Sequence, residues 1–185
     1  MVRHAASSSD RVVAIVGAAG AGKTTATAAL GRALTHAGIP VLGGAPSGAA
    51  AEKLQDETGI PSTTLHRMLD DARRNDGLPL RSVVVVDEAG MAETRILEPL
   101  LAEIEAADAK LVLIGDPHQL PAVGAGGLLE AIVERVGAVE LRDNRRQRDE
   151  MERQALAAVR AGRGRDYLAY AEREQRLVVA DDPIA

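Results

Sequence analysis

One nine-residue loop restricts the folds open to this chain more than any other feature. It reads Gly17-Ala18-Ala19-Gly20-Ala21-Gly22-Lys23-Thr24-Thr25, between a β-branched run, Arg11 to Val16, and a helical run, Lys23 to Ala37. Glycines at this spacing let successive backbone N–H groups converge on phosphate oxygens, and the helix start adds positive partial charge. Lys23 is then placed to reach the β- and γ-phosphates of ATP, and the Thr24 hydroxyl to bind Mg²⁺. The competing reading, a Gly/Ala turn that merely caps a helix, is the weaker one in this strand-to-helix setting.

The rest of the chain alternates strands with helices. Strands are predicted at Pro40 to Ala45, Ser82 to Val86, Lys110 to Ile114, Ala138 to Leu141 and Leu177 to Val179. Helices are predicted at Ser47 to Glu57, Thr63 to Arg74, Leu128 to Val136, Arg148 to Ala161 and Asp166 to Glu174. A further apolar stripe (Ile96, Leu97, Leu100, Leu101, Ile104) contains Pro99, where a helix should begin or kink. Four consecutive valines, Val83 to Val86, read as a strand buried on both faces. This alternation predicts an α/β fold with a mainly parallel sheet sandwiched by helices and right-handed crossovers. In such sheets ligands sit at the carboxyl ends of the strands.

Three of those ends carry suggestive chemistry. The valine strand runs into Asp87 and Glu88. Opposite a phosphate loop, the first carboxylate holds Mg²⁺ and the second orients and deprotonates the attacking water. The segment Gly115 to Pro121 contains Gln119, a neutral donor and acceptor suited to a γ-phosphate or a water. Spacing alone leaves it equally readable as a Gly-Asp-Pro turn. The segment Leu141 to Gln147 is rich in arginine, which stabilises developing charge in phosphoryl transfer but is more often a solvated face.

Composition narrows the classes further. The 185 residues contain no cysteine, phenylalanine or tryptophan and two tyrosines, so disulfides and thiolate metal sites are excluded. No apolar stretch reaches membrane-helix length, and Met1 to Asp10 has no apolar signal region, so the cytoplasm is the expected compartment. A net charge of −5 argues against binding nucleic acid by bulk electrostatics. Lysine occurs only at 23, 53 and 110 among 22 basic residues, which singles out each of the three.

The four blocks, in their order, resemble the first motor domain of superfamily 1 DNA helicases. The resemblance is to the RecD-like branch, which includes the helicase portion of TrwC/TraI-like conjugative relaxases, and it runs from Arg11 to about Val179. It implies a RecA-like P-loop ATPase, with Gly17 to Thr25 similar to motif I, Asp87 to Met91 to motif II and Gly115 to Pro121 to motif III. The resemblance makes Gln119 the γ-phosphate sensor. Leu141 to Gln147 is similar to motif IV, which puts Arg146 at the arginine-finger position. Lys23, Glu88, Gln119 and Arg146 are thus the catalytic candidates, and Thr24 and Asp87 the metal ligands. Pro46, Ser47 and Gly48 resemble motif Ia, and Thr64 and His66 motif Ib, through which the family grips single-stranded DNA. On residue chemistry alone, His66 reads as a partly buried helix residue.

The chain also departs from the family pattern. Residues 1–10 hold no glutamine to read adenine, Ala49 stands where a basic residue is common, and Arg145 where many relatives have an aromatic. Motifs V and VI of a second RecA-like domain are absent. The expected organisation is a truncated tail at 1–10, the ATPase domain at 11–180 and the start of a linker at 181–185. Such a fragment would bind nucleotide and single-stranded DNA weakly and would not unwind DNA without the second RecA-like partner. His4, His36, His66 and His118 are too scattered for a nickase metal site, and Tyr167 and Tyr170 read as packing or rim residues. A phosphotransferase of the nucleoside-kinase type and a non-catalytic nucleic-acid-binding module are the competing classes.

Overall fold

The computed structural model describes residues 1–18, 20–116, 128–141 and 150–177. The chain divides into two compact units, Met1–Asp143 and Asn144–Ala185.

The first unit is an α/β sandwich. Its strands are β1 (Val12–Gly17), β2 (Val41–Ala45), β3 (Ser62–Thr64), β4 (Val83–Val86), β5 (Lys110–Gly115) and β6 (Val139–Leu141). Its helices are α1 (Val2–Ser7), α2 (Lys23–His36), α3 (Gly48–Thr58), α4 (Leu65–Arg74), α5 (Thr94–Ala106) and α6 (Leu128–Val136), with a 3-10 turn at Ala89–Met91. The six strands lie in the order β3-β2-β4-β5-β1-β6, and every pairing is parallel.

Strand periodicity divides the core into two layers. Val83 and Val85 of β4, Val112 and Ile114 of β5, and Val13 and Ile15 of β1 face one cluster, shared with Leu30 and Leu34 of α2. Val84 and Val86, with Leu111 and Leu113, face the other, shared with α4, α5 and Leu129 of α6. Side chains on a strand alternate faces, so an uninterrupted apolar run is what a sheet covered on both sides requires.

Several elements differ from expectation. Residues 1–10, expected as a tail, carry the short helix α1, whose Ala5 is buried in the α2 layer. Lys110 Nζ fastens it by donating to the Ala5 and Ser8 carbonyls, at 3.2 and 2.5 Å. Residues 62–64 form an edge strand, so the helix expected from Thr63 begins at Leu65, with Thr64 Oγ1 accepting the Arg67 N–H as its N-cap (3.2 Å). Pro99 does not start α5; the helix begins at Thr94 and carries the proline at its sixth residue. Burial of Leu97, Leu100 and Ile104 beneath the sheet holds the helix through the one N–H the proline lacks.

The second unit holds α7 (Glu150–Arg160) and α8 (Gly164–Arg173). Tyr170 is buried in it, with the Arg173 and Arg176 guanidinium carbons each 5.8 Å from its ring centre. Tyr167 stands 6.3 Å from the same ring, which makes the two tyrosines part of one packed cluster, as expected. Of the strand expected at Leu177 to Val179, residues 178 and 179 lie outside the described residues.

Candidate nucleotide site

The strand order itself creates a crevice. The crossover from β1 runs through α2 to β2 on one side, and that from β5 through α6 to β6 on the other. Helices α2 and α6 therefore lie on opposite faces of the sheet, and the gap outside the carboxyl ends of these neighbouring strands is where α/β sheets bind ligands. The phosphate-loop candidates stand on one lip of that gap and Asp116, buried at the end of β5, on the other.

The loop after β1 has the backbone such a site needs. Gly20 and Gly22 adopt φ of 84° and 81°, the left-handed region that a side chain disfavours. Gly22 is also the N-cap of α2, so the helix starts with no side-chain cap and no acidic residue in its first turn. Its leading N–H groups and its dipole are then directed at the crevice without an internal anion to satisfy them. Lys23 Nζ bends back onto the loop and donates to the carbonyls of Gly17 and Ala18, at 2.5 and 3.1 Å. Thr24 is half-buried and Thr25 exposed, while Thr27, which sequence reasoning passed over, is buried and donates to the Lys23 carbonyl (2.8 Å). Ala19, within the same loop, lies outside the described residues.

Asp87 and Glu88 follow β4, which is separated from β1 only by β5. Two strand spacings put this acidic pair about 10 Å from the loop after β1. The Asp87 N–H is anchored on the Gly44 carbonyl of β2 (3.0 Å), and Asp87 Oδ1 accepts the Glu88 N–H (2.9 Å). Burial raises the Asp87 carboxyl above its ordinary value, while the Glu88 N–H and the ammonium groups of Lys23 and Lys53 draw it back. The Lys23 ammonium and the Asp87 carboxylate thus act on each other across the crevice. Lys53, on α3, belongs to the same field, and the scarcity of lysine was the one sequence signal that marked it.

Glu88 is held in the left-handed region, with φ 52° and ψ 36°. A non-glycine residue there stores strain, and such strain concentrates at functional sites. The turn that follows rests on Gly115: a Cβ at that position would lie 2.6 Å from Leu129 Cδ2 and 3.3 Å from the Gly90 amide nitrogen. The acidic turn and the end of β5 approach each other only because that side chain is missing.

These residues fit a triphosphate with Mg²⁺. An uncapped helix start, a lysine and a conformation open to glycine would suit the phosphates, and Thr24 and Asp87 could supply oxygen ligands for a hard cation.

The residues expected to grip DNA also stand at the carboxyl side of the sheet, after β2 and β3. Ser47 Oγ accepts the Ala50 N–H (3.2 Å) and caps α3, as Thr64 caps α4, so both hydroxyls already serve their helices. Pro46 is half-buried and Gly48 exposed. His66 is exposed, against the partly buried position its chemistry suggested, because Leu65, Met68 and Leu69 occupy the inward face of α4. Gln119 and Arg146 lie outside the described residues. No helix among the described residues is long and apolar enough to cross a membrane.

Comparison with known proteins agrees with this fold. A family model described as an AAA domain matches residues 1–182. The conjugal transfer protein TraA of Agrobacterium fabrum is 41% identical over 169 residues, covering 91% of this chain and 15% of that protein. The ATP-dependent RecD2 DNA helicase of Deinococcus radiodurans is 34% identical over 142 residues, covering 74% of this chain and 20% of that protein. The RecBCD subunit RecD of Mycolicibacterium smegmatis is 33% identical over 162 residues, covering 70% and 29%. The chain therefore spans less than a third of the length of each of these relatives.

Proposed function

The chain belongs to the AAA-domain family, among relatives of TraA conjugal transfer proteins and RecD-type helicases, and from that premise we propose that it is an ATP-hydrolysing motor domain acting on single-stranded DNA. The observation that carries the proposal is the crevice at the carboxyl ends of β1, β5 and β4, where Lys23 and the uncapped start of α2 face the half-buried Asp87 carboxyl.

In this reading the N–H groups from Gly20 to Thr25 and the Lys23 ammonium bind and orient the phosphate chain. The Thr24 hydroxyl and Asp87 would hold Mg²⁺, which would supply charge neutralisation at the phosphates. Glu88, fixed in its turn by Gly115, orients the water and takes its proton. Gln119 and Arg146 are proposed as γ-phosphate sensor and transition-state cation. Coupling to DNA would run over the starts of α3 and α4, where Pro46, Ser47, Gly48, Thr64 and His66 lie. A second RecA-like domain is proposed as the partner against which the motor closes, within a larger protein such as the conjugal transfer protein TraA.

Calorimetric titration with Mg·ADP and a hydrolysis assay with single-stranded DNA test this directly. Lys23→Ala should abolish nucleotide binding, and Glu88→Gln should retain binding and lose hydrolysis. Loss of Arg146 should cost on the order of 10³-fold in rate if it acts as a finger. Ordinary turnover by Glu88→Gln would remove the assignment, and no affinity of the wild-type chain for either nucleotide would remove the whole reading.

A further inference from the structure

At the opposite edge of the sheet lies a cavity of about 610 Å³, bounded by β2 and β3, the C-terminal half of α4 and the turn at residues 75–80. Its size is that of a ligand site, between roughly 300 and 1,000 Å³. Leu42, Met68, Ala72, Leu78, Pro79 and Leu80 give it apolar walls, and Leu80 stands on the rim with 74% of its surface exposed. Asp71 and Asp76 supply carboxylates, and no lysine, arginine or histidine lines it.

That charge decides what can enter. A phosphate backbone needs cations, so neither DNA nor nucleotide suits this cavity. Strand addition is disfavoured as well, because the Ser62 N–H at the sheet edge already donates to Gln55 Oε1 (3.1 Å). Apolar walls with an acidic rim fit apolar side chains flanked by cations.

Asp76 sharpens the case. It sits just past the end of α4 with φ 60°, while the Gly77 N–H closes the helix on the Ala72 carbonyl (2.7 Å). Glycine or asparagine suits that left-handed position, and an anion opposes the negative end of the helix dipole. Among the described residues Asp76 forms no ion pair, whereas Asp71 is held only by exposed Arg67 at 3.6 Å. The carboxylate sits where it costs the fold and where it faces this cavity.

We propose that this cavity is a docking site for a protein segment that presents two apolar side chains between basic residues. The proposal is independent of the nucleotide site. The probe is acetyl-Arg-Leu-Leu-Arg-amide, titrated into the ¹⁵N-labelled full chain while the amides of Ala72, Gly77 and Leu78 are followed. Saturable shifts are expected, with Asp76→Asn weakening binding about fivefold while melting no lower than wild type. Neither a Glu-Leu-Leu-Glu peptide nor an Arg-Ser-Ser-Arg peptide should saturate those amides. The proposal is overturned by no saturable shift with the probe, by equal binding of either control peptide, or by a single-stranded oligonucleotide that moves the same amides.

Discussion

Giving Gly115 a methyl group would test the packing that fixes the acidic turn. The added Cβ would meet Leu129 Cδ2 at 2.6 Å, the Gly90 amide nitrogen at 3.3 Å and the Ala89 amide nitrogen at 3.7 Å. Carbon atoms pack best at about 3.5–4.0 Å, so Leu129 must retreat by most of an ångström. Leu129 is 2% exposed among α5, β5 and the acidic turn, which leaves it no path into solvent. Overpacking of this kind costs about 1–3 kcal/mol. Leu129→Ala alone should cost about 2–5 kcal/mol through the cavity it leaves. In the double variant the new methyl enters the space that Leu129 vacates, so the two losses should fall short of additivity by about 1–2 kcal/mol. Urea denaturation of the four proteins gives the cycle. Because Gly90 moves with Glu88, Gly115→Ala should also lower ATP hydrolysis more than it lowers ADP affinity. An additive cycle, together with unchanged turnover in Gly115→Ala, would refute the claim that this glycine seats the acidic turn.

Three further outcomes follow from other contacts. A carboxyl whose folded-state pKa lies above its ordinary 3.8 binds protons more tightly folded than unfolded, so Asp87 should make stability fall as pH rises from that value through its folded pKa. Nucleotide-free Asp87→Asn should therefore melt higher than wild type at pH 7 and close to it near pH 3; a lower melting temperature at pH 7 would contradict the burial argument. Thr64→Ala removes the N-cap of α4 and should cost about 1 kcal/mol by chemical denaturation, with Thr64→Ser restoring most of it. Lys110→Met keeps the stem but loses the bonds to the Ala5 and Ser8 carbonyls, so amide protection in α1 should drop while that in β5 persists; unchanged exchange in residues 5–8 would show that the apolar contact of Ala5 alone holds the helix.

What could be read from the chain, and what could not, follows from the range of each interaction. The glycine turn between β1 and α2 was legible because glycine conformation and a helix start act within nine residues. The valine strand was legible because burial on both faces leaves no polar alternation. The short edge strand Ser62–Thr64 was hidden, since three half-buried hydroxyl-bearing or polar residues carry no period, and Thr64 serves both as its last residue and as a helix cap. Exposure of His66 depended on which face of α4 meets β2 and α5, a tertiary choice made by Leu65, Met68 and Leu69.

The pairing of distant segments was the least legible property and the one the site depends on most. Nothing local indicates that β5 inserts between β1 and β4, yet that insertion sets how far the phosphate loop stands from Asp87. It also brings the end of β5 under the acidic turn, where a missing Cβ becomes necessary at Gly115 and nowhere else along that strand. The left-handed Glu88 is the local consequence: β4 must end, turn sharply over Gly115 and enter α5 within a few residues. Strain at the proposed base is thus imposed by the strand order, and a variant that relaxes the turn should lose hydrolysis before it loses the fold.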